Sequence, residues 1–228
     1  MDIESHLNPE QEARETQPGP NAERASAGLS EDAALALLNR ADVTAETLAQ
    51  LAKNPILSKS RKVLVAIATH PRTPRHVSIP LLRSMFTFDL MNTALMPAVA
   101  PDIKRVAEEQ LIMRLESLPV GQKITLARRA SGRVAAALLQ TSEKRITSPA
   151  LDNKQLTEAL VVQALMKPRA PELLFVMVSD HSAWQLRREI QIALLRSQKT
   201  PLDRAQNFAK NFSADFLQEI LPESRRTT

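Results

Sequence analysis

The sequence predicts an all-α protein, an α-solenoid (α–α superhelix) of about six two-helix repeats with ~30 residues in each. The first observation is composition, since 43% of the 228 residues are hydrophobic but only 3% are aromatic, and Tyr is absent. Strands favour aromatic and β-branched residues, so this composition favours helices. The second observation is the excess of proline over glycine, with 15 Pro and 4 Gly. We therefore expect turns set by Pro and Thr and not by left-handed Gly caps.

Three segments align without gaps, and each predicts the end of a helix, then a basic turn, then a proline. Proline suits the first position of the next helix because it has no N–H to lose and its φ already fits the helix. Thr73 and Thr200 precede two of these prolines, where we expect their hydroxyls to cap exposed N–H groups. The three segments are Val65–Pro74, Val162–Pro171 and Ile192–Pro201.

Looser copies of the same pattern, at Leu37–Ala45 and Asn92–Pro101, fill the gaps between these segments. Together the copies place units that begin near residues 30, 58, 87, 119, 152 and 183. A period of this length with two helices per unit predicts stacked helical hairpins.

The unit over residues 119–151 is the least regular. We expect a first helix that ends at Arg129, a break at Ser131 and Gly132, and a second helix after the break. The stretch Ser148–Asn153 is expected to lengthen the end of this unit. Such irregularity bends a stack of repeats, so we expect its axis to change direction here.

Apolar residues inside the units recur at helical spacing. One stripe consists of Val63, Leu64, Ile67 and Ala68, and another of Leu186, Ile190, Ala193 and Leu194. The last segment, Pro201–Leu221, carries a stripe of Leu202, Ala205, Phe208, Ala209, Phe212, Phe216 and Ile220. We expect a capping helix that closes the end of the core there; the alternative is a docking face for a partner helix.

Charge divides the chain into an acidic start and a basic body. Residues 1–33 carry a net charge of −6, and residues 34–228 carry +11. We expect a disordered acidic leader over 1–28, a helical-repeat domain over 29–222 and a disordered tail over 223–228. The leader is either a solubilising tail or a tether that covers the basic body. No signal segment or run near the ~18 apolar residues of a membrane span occurs, so we expect a cytoplasmic protein without a membrane partner.

The sequence offers no constellation for catalysis, so we expect neither an enzyme nor a cofactor. Cys is absent, which excludes disulfides, thiolate metal sites and cysteine nucleophiles. The histidines at 6, 76 and 181 and His70, a turn residue before Pro71, form no HExxH motif, so no metal is expected. The scattered glycines build no phosphate loop, and no GxSxG elbow occurs.

Two adjoining segments, Leu48–Pro55 and Arg61–Pro74, resemble the leucine-rich-repeat-variant and HEAT-like helical repeats of bacteria. Similar residues return at Leu151–Leu160 and Trp184–Leu194, so the resemblance covers about residues 30–212. It implies an α-solenoid that serves as a binding scaffold. Some variant-repeat proteins carry a cysteine-bound iron–sulfur cluster, which this chain cannot bind because it has no Cys.

The segment Asp180–Arg188 contains the single Trp, Trp184, with an acid before it and two arginines after it. HEAT-like repeats use an Asp and an Arg at about this separation to join adjacent turns, and we favour that structural role. The alternative is a site like that of HEAT-like DNA glycosylases, which use Trp, Asp and Arg on a basic face. Those sites depend on several aromatic rings, and this chain has one Trp and no Tyr.

Basic residues and the single Trp form the candidate binding surface. They lie around the irregular unit, at the Pro turns and beside the Trp: Arg128, Arg129, Arg133, Lys144, Arg145; Arg72, Arg75, Lys167, Arg169, Lys199, Arg204; Trp184, Arg187, Arg188. Turns of a regular solenoid stack on one edge, so the second set is able to form a basic stripe. We expect a non-catalytic scaffold that binds a protein partner. The alternative is nucleic acid held along the stripe.

Overall fold

The computed structural model describes residues 29–221, and all regular secondary structure within them is helical. This confirms the all-α prediction. The predicted leader over 1–28 and tail over 223–228 lie outside the described residues. The chain divides into two compact units, the first ending at Leu81 and the second beginning at Leu82. The single repeat domain predicted over 29–222 stays a prediction.

Within residues 29–81, the first unit contains three helices, a short 3-10 turn and most of a fourth helix. Side-chain hydroxyls cap the first three helices: Ser30, Thr44 and Ser60 accept from the backbone N–H three residues later at 3.2, 3.2 and 3.3 Å. The elements are α1 (Glu31–Leu38), α2 (Ala45–Lys53), a 3-10 turn (Leu57–Lys59), α3 (Arg61–Thr69) and α4 (Arg75–Ser84).

The core of this unit lies between α1, α2 and α3. Val63 and Ile67 of the first predicted stripe are fully buried, and Leu48 and Leu57 join them. Ala68 is also buried and Leu64 is half-buried, so this stripe is confirmed.

The described part of the second unit, residues 82–221, contains ten further helices, all short except α6. They are α5 (Thr87–Leu95), α6 (Pro101–Arg114), α7 (Val120–Arg129), α8 (Gly132–Leu138), α9 (Lys144–Leu151), α10 (Glu158–Leu165), α11 (Glu172–Asp180), α12 (Arg188–Arg196), α13 (Leu202–Ala209) and α14 (Ala214–Ile220), with a 3-10 turn at Leu115–Ser117 after α6.

Helices two apart in the chain pack against each other through this unit. One row runs α6, α8, α10, α12 and α14, and a second row runs α7, α9 and α11. In the first unit α1 packs on α3 in the same way. Alternate helices therefore share a row.

Prolines mark helix starts as predicted. Pro101 is the first residue of α6, while Pro119, Pro171 and Pro201 immediately precede α7, α11 and α13. Pro74 stands directly before α4. The three aligned segments thus end one helix and begin the next at the expected places.

Five turns use a side chain to bind the backbone N–H two residues later. The acceptor-to-nitrogen distances run from 2.8 to 3.3 Å. The acceptors are Asn54 Oδ1, His70 Nδ1, Asn153 Oδ1, His181 Nδ1 and Ser197 Oγ. Such local bonds stabilise a turn without left-handed backbone, and no residue within 29–221 has a positive φ. The expectation of turns without left-handed Gly caps is confirmed there.

The hydroxyls of Thr73 and Thr200 also bind backbone at these turns. Each donates to a carbonyl near the end of the preceding helix, Ile67 O and Leu194 O, at 2.6 Å. The sequence predicts a role at the start of the next helix, whereas the donated bond serves the end of the previous one.

Three cationic side chains each donate to two backbone carbonyls that lie 31 and 29 residues earlier in the chain. They are Arg72 to Ala41 and Val43, Arg114 to Arg83 and Met85, and Lys199 to Pro168 and Ala170. We call these contacts carbonyl clamps. The constant offset matches the repeat length predicted from the proline spacing.

Two predictions about helices are wrong. Residues 144–151 form a separate helix, α9, with Pro149 inside it, so the irregular unit has three helices and not a lengthened end. The terminal segment is two helices, α13 and α14, separated by residues 210–213. Leu202 is 52% exposed because it begins α13, and Leu186 is 76% exposed because it precedes α12.

Candidate interaction groove

The candidate site is a groove on the second unit, where α6, α8 and α10 lie side by side. It consists of two adjoining hollows that share the side chains of Ile112, Ala137 and Lys167. Ile112 comes from α6, Ala137 from α8, and Lys167 follows the end of α10. One row of packed helices thus supplies a continuous open surface, and we use the word groove for the two hollows together.

Small side chains give the groove its depth. Ala136 and Ala137 on α8 and Ala164 on α10 line it, while Ile112 and Leu160 are half-buried in it. An alanine side chain ends at Cβ, so the surface of α8 lies low between α6 and α10. Ala136 and Ala137 are therefore the local sequence cause of the low surface of α8 in the groove.

Gly132 fixes the position of α8 against the start of α10. A Cβ on Gly132 would lie 2.1 Å from the carbonyl oxygen of Gln155 and 3.0 Å from Leu160 Cδ1. Any larger residue would displace α8 from the turn that leads into α10. The depth of the groove thus depends on a glycine as well as on the alanines.

Three cations and one acid line the groove: Lys123, Arg133, Lys167 and Glu116. Arg133 pairs with Glu108 at 2.9 Å, and Lys123 Nζ donates to the backbone carbonyl of Glu116 at 3.3 Å. Lys167 has neither an ion pair nor a hydrogen bond from its side chain to any residue within 29–221. The lining therefore has an excess of positive charge.

The structure brings two of the predicted binding residues, Arg133 and Lys167, into this groove. It engages two others in carbonyl clamps, since Arg72 and Lys199 donate to carbonyls of earlier turns. The clamps join two of the turns to earlier ones, but they do so with cations that the sequence analysis assigned to a binding surface.

Two further predicted cations have internal partners. Arg204 pairs with Asp180 at 2.7 Å. Arg188 lies over the stacked rings of Phe212 and Phe216, with its guanidinium 5.3 and 5.6 Å from their centres. The ion pair joins α11 to α13. The cation–π contacts join Arg188, the first residue of α12, to Phe212 and Phe216.

The remaining predicted cations are exposed, and Arg75 has an internal interaction. Within residues 29–221, no ion pair or side-chain hydrogen bond engages the other six: Arg128, Arg129, Lys144, Arg145, Arg169 and Arg187. Arg128 and Arg129 end α7, and Lys144 and Arg145 begin α9, a helix that packs on α7.

The cluster around Trp184 joins adjacent helix pairs. Trp184 Nε1 donates to the carbonyl of Leu151 at 2.9 Å, and His181 Nε2 lies 3.2 Å from Asp152 Oδ1. Asp180 of α11 pairs with Arg204 of α13 and not with an arginine of its own segment, and Trp184 binds the end of α9. Both residues thus contact helices that are not their immediate neighbours in the chain, which agrees with a structural role but not with the expected Asp–Arg pair.

Sequence reasoning missed the clamp residue Arg114 and the groove residues Lys123 and Glu116. Arg114 ends a helix and is not followed by the Thr-Pro pair that marks Arg72 and Lys199. The only available signal was its distance of ~30 residues from a preceding loop. Sequence reasoning also did not single out Ala136 and Ala137, because their place in the lining depends on how α6 and α10 flank α8.

Within residues 29–221, no group of three or more acidic or histidine side chains is placed to hold a metal ion. None of the helices in that range is long and apolar enough to cross a membrane. Comparison with protein-family models, curated proteins and solved structures finds no match for this chain.

Proposed function

We propose that this chain is a non-catalytic helical-repeat scaffold, an α-solenoid that binds a protein partner through the groove. The single observation that carries the proposal is the groove itself. Its lining crosses three successive helices of one row and combines aliphatic, small and cationic side chains. Binding surfaces between proteins commonly combine apolar contact with charged groups at the rim.

Two regular features of the structure, the packing of alternate helices in rows and the constant sequence offset of the carbonyl clamps, support the proposal of an α-solenoid. Helices two apart in the chain form rows, which is how stacked hairpins pack. The three carbonyl clamps keep one offset of 31 and 29 residues. A solenoid buries its core between neighbouring repeats and leaves one face of each row open, so a groove across a row suits a scaffold.

Affinity capture from native lysate, with a matched pair of variants, tests the proposal. Ala137→Arg fills the groove, whereas Val176→Arg places the same side chain on α11, where Val176 is 39% exposed. We expect a protein that wild type and Val176→Arg retain in stoichiometric amounts and that Ala137→Arg does not. Equal retention by all three proteins, with both variants folded by circular dichroism, would contradict the proposal.

Nucleic acid is the second candidate, and the cations without partners favour it. Arg169 and Lys167 share the loop between α10 and α11 and engage no residue within 29–221. The stripe of turn residues is less complete than the sequence suggests, because Arg72, Lys199 and Arg204 have internal partners. Retention of nucleic acid that falls steeply with salt and is lost after nuclease treatment would favour this candidate.

A further inference from the structure

We propose that the occupant of the groove is an acidic amphipathic helix of a partner protein. This inference rests on the proposed function and names the chemistry of the partner. It follows from the charge, the lining and the length of the groove, taken in that order.

The charge of the groove calls for an acidic ligand. Lys123, Arg133 and Lys167 line it against one acid, Glu116. Only Arg133 has a carboxylate partner among residues 29–221, and Lys167 has no partner there. A ligand with carboxylates on one side would pair with Lys167 and Lys123 without displacing an existing ion pair.

The lining calls for an apolar face on the same ligand. Ile112, Ala137 and Leu160 present aliphatic surface, and no aromatic side chain lines either hollow. Single-stranded nucleic acid is held largely by base stacking on aromatic rings, so this lining suits it poorly. Small side chains at Ala136 and Ala137 allow the backbone of a helix to approach α8 closely.

The length of the groove suits a helix of three to four turns. Packed helices lie about 8–10 Å apart, so the span from α6 across α8 to α10 is about 20 Å. A helix rises about 1.5 Å per residue and covers that span with about 13 residues. Its apolar residues would recur at three- and four-residue spacing, with Glu or Asp beside them.

Fluorescence anisotropy with the full chain and three labelled helical peptides tests this inference. The first is an amphipathic peptide of about 14 residues with Leu and Ala on one face and Glu on the other. The second has the same composition in scrambled order, and the third has Lys in place of Glu. We expect the first to bind at least about tenfold more tightly than either of the others.

Two variants of the chain locate the contact. Lys167→Glu should weaken binding of the acidic peptide by about fivefold, whereas Lys154→Glu in the loop between α9 and α10, the same charge change outside the lining, should leave it unchanged. Both lysines are exposed, so neither change threatens folding. Equal binding of the scrambled peptide, equal weakening by both variants, or competition by a DNA or RNA oligonucleotide with the same Lys167 dependence would overturn the inference.

The two proposals fail in different ways. A partner from lysate that is lost with Ala137→Arg, together with no binding of the acidic peptide, removes the acidic helix and keeps the scaffold. No partner that depends on Ala137, together with no binding of any peptide, removes both.

Discussion

At the scale of single residues, Gly132 lies where the backbone of α8 comes close to the loop before α10. A Cβ on Gly132 would lie 2.1 Å from Gln155 O. We expect Gly132→Ala to lower the free energy of unfolding by about 2 kcal/mol, since α8 must shift to relieve the overlap. Urea denaturation followed by circular dichroism measures the change.

Gly121 supplies the matched control for this substitution. It lies in α7, and a Cβ there has nothing within 4 Å. Gly121→Ala should therefore raise the free energy of unfolding by about 0.5 kcal/mol through helix propensity alone. If the two variants change stability in the same direction, the close packing of α8 against the loop before α10 is not what Gly132 provides.

Arg114 tests the carbonyl clamps. Arg114→Met removes the hydrogen bonds to Arg83 O and Met85 O and leaves two carbonyls to water or to no partner. We expect a loss of about 1–2 kcal/mol in the free energy of unfolding. Arg114→Lys should recover part of it, because Lys199 makes the same pair of contacts with an ammonium group.

Arg105 provides the comparison for Arg114, since it lies on the same helix and forms an exposed ion pair with Glu109 at 3.2 Å. Arg105→Met should cost no more than about 0.5 kcal/mol. A loss at Arg105 as large as the loss at Arg114 would show that the clamp contributes nothing beyond an ordinary surface charge.

The contacts of individual cations were also the feature that the sequence predicted least well. Sequence reasoning selected Arg72 and Lys199 as ligand-binding cations because they are basic and recur before Thr-Pro. Their actual contacts are backbone carbonyls 31 and 29 residues earlier in the chain. A sequence records that a residue is basic, but it does not record whether a phosphate or a backbone carbonyl lies within reach. Arg169 occupies the position of Arg72 and Lys199 in the aligned segments, yet its side chain makes no hydrogen bond or ion pair with residues 29–221.

At the scale of elements, the turns after α3 and α11 depend on a histidine that accepts a hydrogen bond. His70 Nδ1 accepts from the Arg72 N–H at 3.1 Å. Burial, and in second place the positive charge of Arg72, hold the pKa of His70 below its ordinary value of 6.5. Protonation of the ring therefore opposes the folded state.

This shift predicts a loss of stability in acid. Above an unfolded pKa of about 6.5 the ring is neutral in both states and makes no difference. As the pH falls below that value, the unfolded chain takes up the proton before the folded chain does, so the free energy of unfolding decreases until the folded pKa is passed. His70→Asn keeps an acceptor, as Asn54 and Asn153 show, and does not titrate.

Urea titrations of wild type and His70→Asn at about pH 7 and about pH 5 measure the difference. The variant should lose less stability between the two values, because it lacks the imidazole of His70 whose pKa is lowered in the folded state. An identical loss would mean that the turn tolerates a protonated His70.

Four helix starts could be predicted, because they depend on local chemistry at Pro101, Pro119, Pro171 and Pro201. The third helix of the irregular unit could not be predicted in the same way. Pro149 there lies inside α9, near its end, and the sequence gives no sign that the residues before it had already turned. This extra helix has a consequence for packing, since it places the second helix of one pair, α6, in the same row as the first helix of a later pair, α10.

At the scale of the whole molecule, the binding surface that we propose from the structure differs from the one that the sequence predicts. Charge patterning predicts a basic stripe along stacked turns, whereas the described residues place two of its cations in clamps and one in an ion pair. The groove of α6, α8 and α10 depends on three alanines that look like core in the sequence. Its existence depends on the order of helices within the row, which residue periodicity alone does not determine.

Site-specific photocrosslinking in native lysate is the most direct test of whether this groove is a protein-binding surface. A benzophenone amino acid at Gln163, an exposed residue of the groove, is compared with the same amino acid at Val176 on α11. We expect one defined protein adduct from position 163 and none from position 176. Equal labelling from both positions, or an adduct to nucleic acid alone, would contradict it.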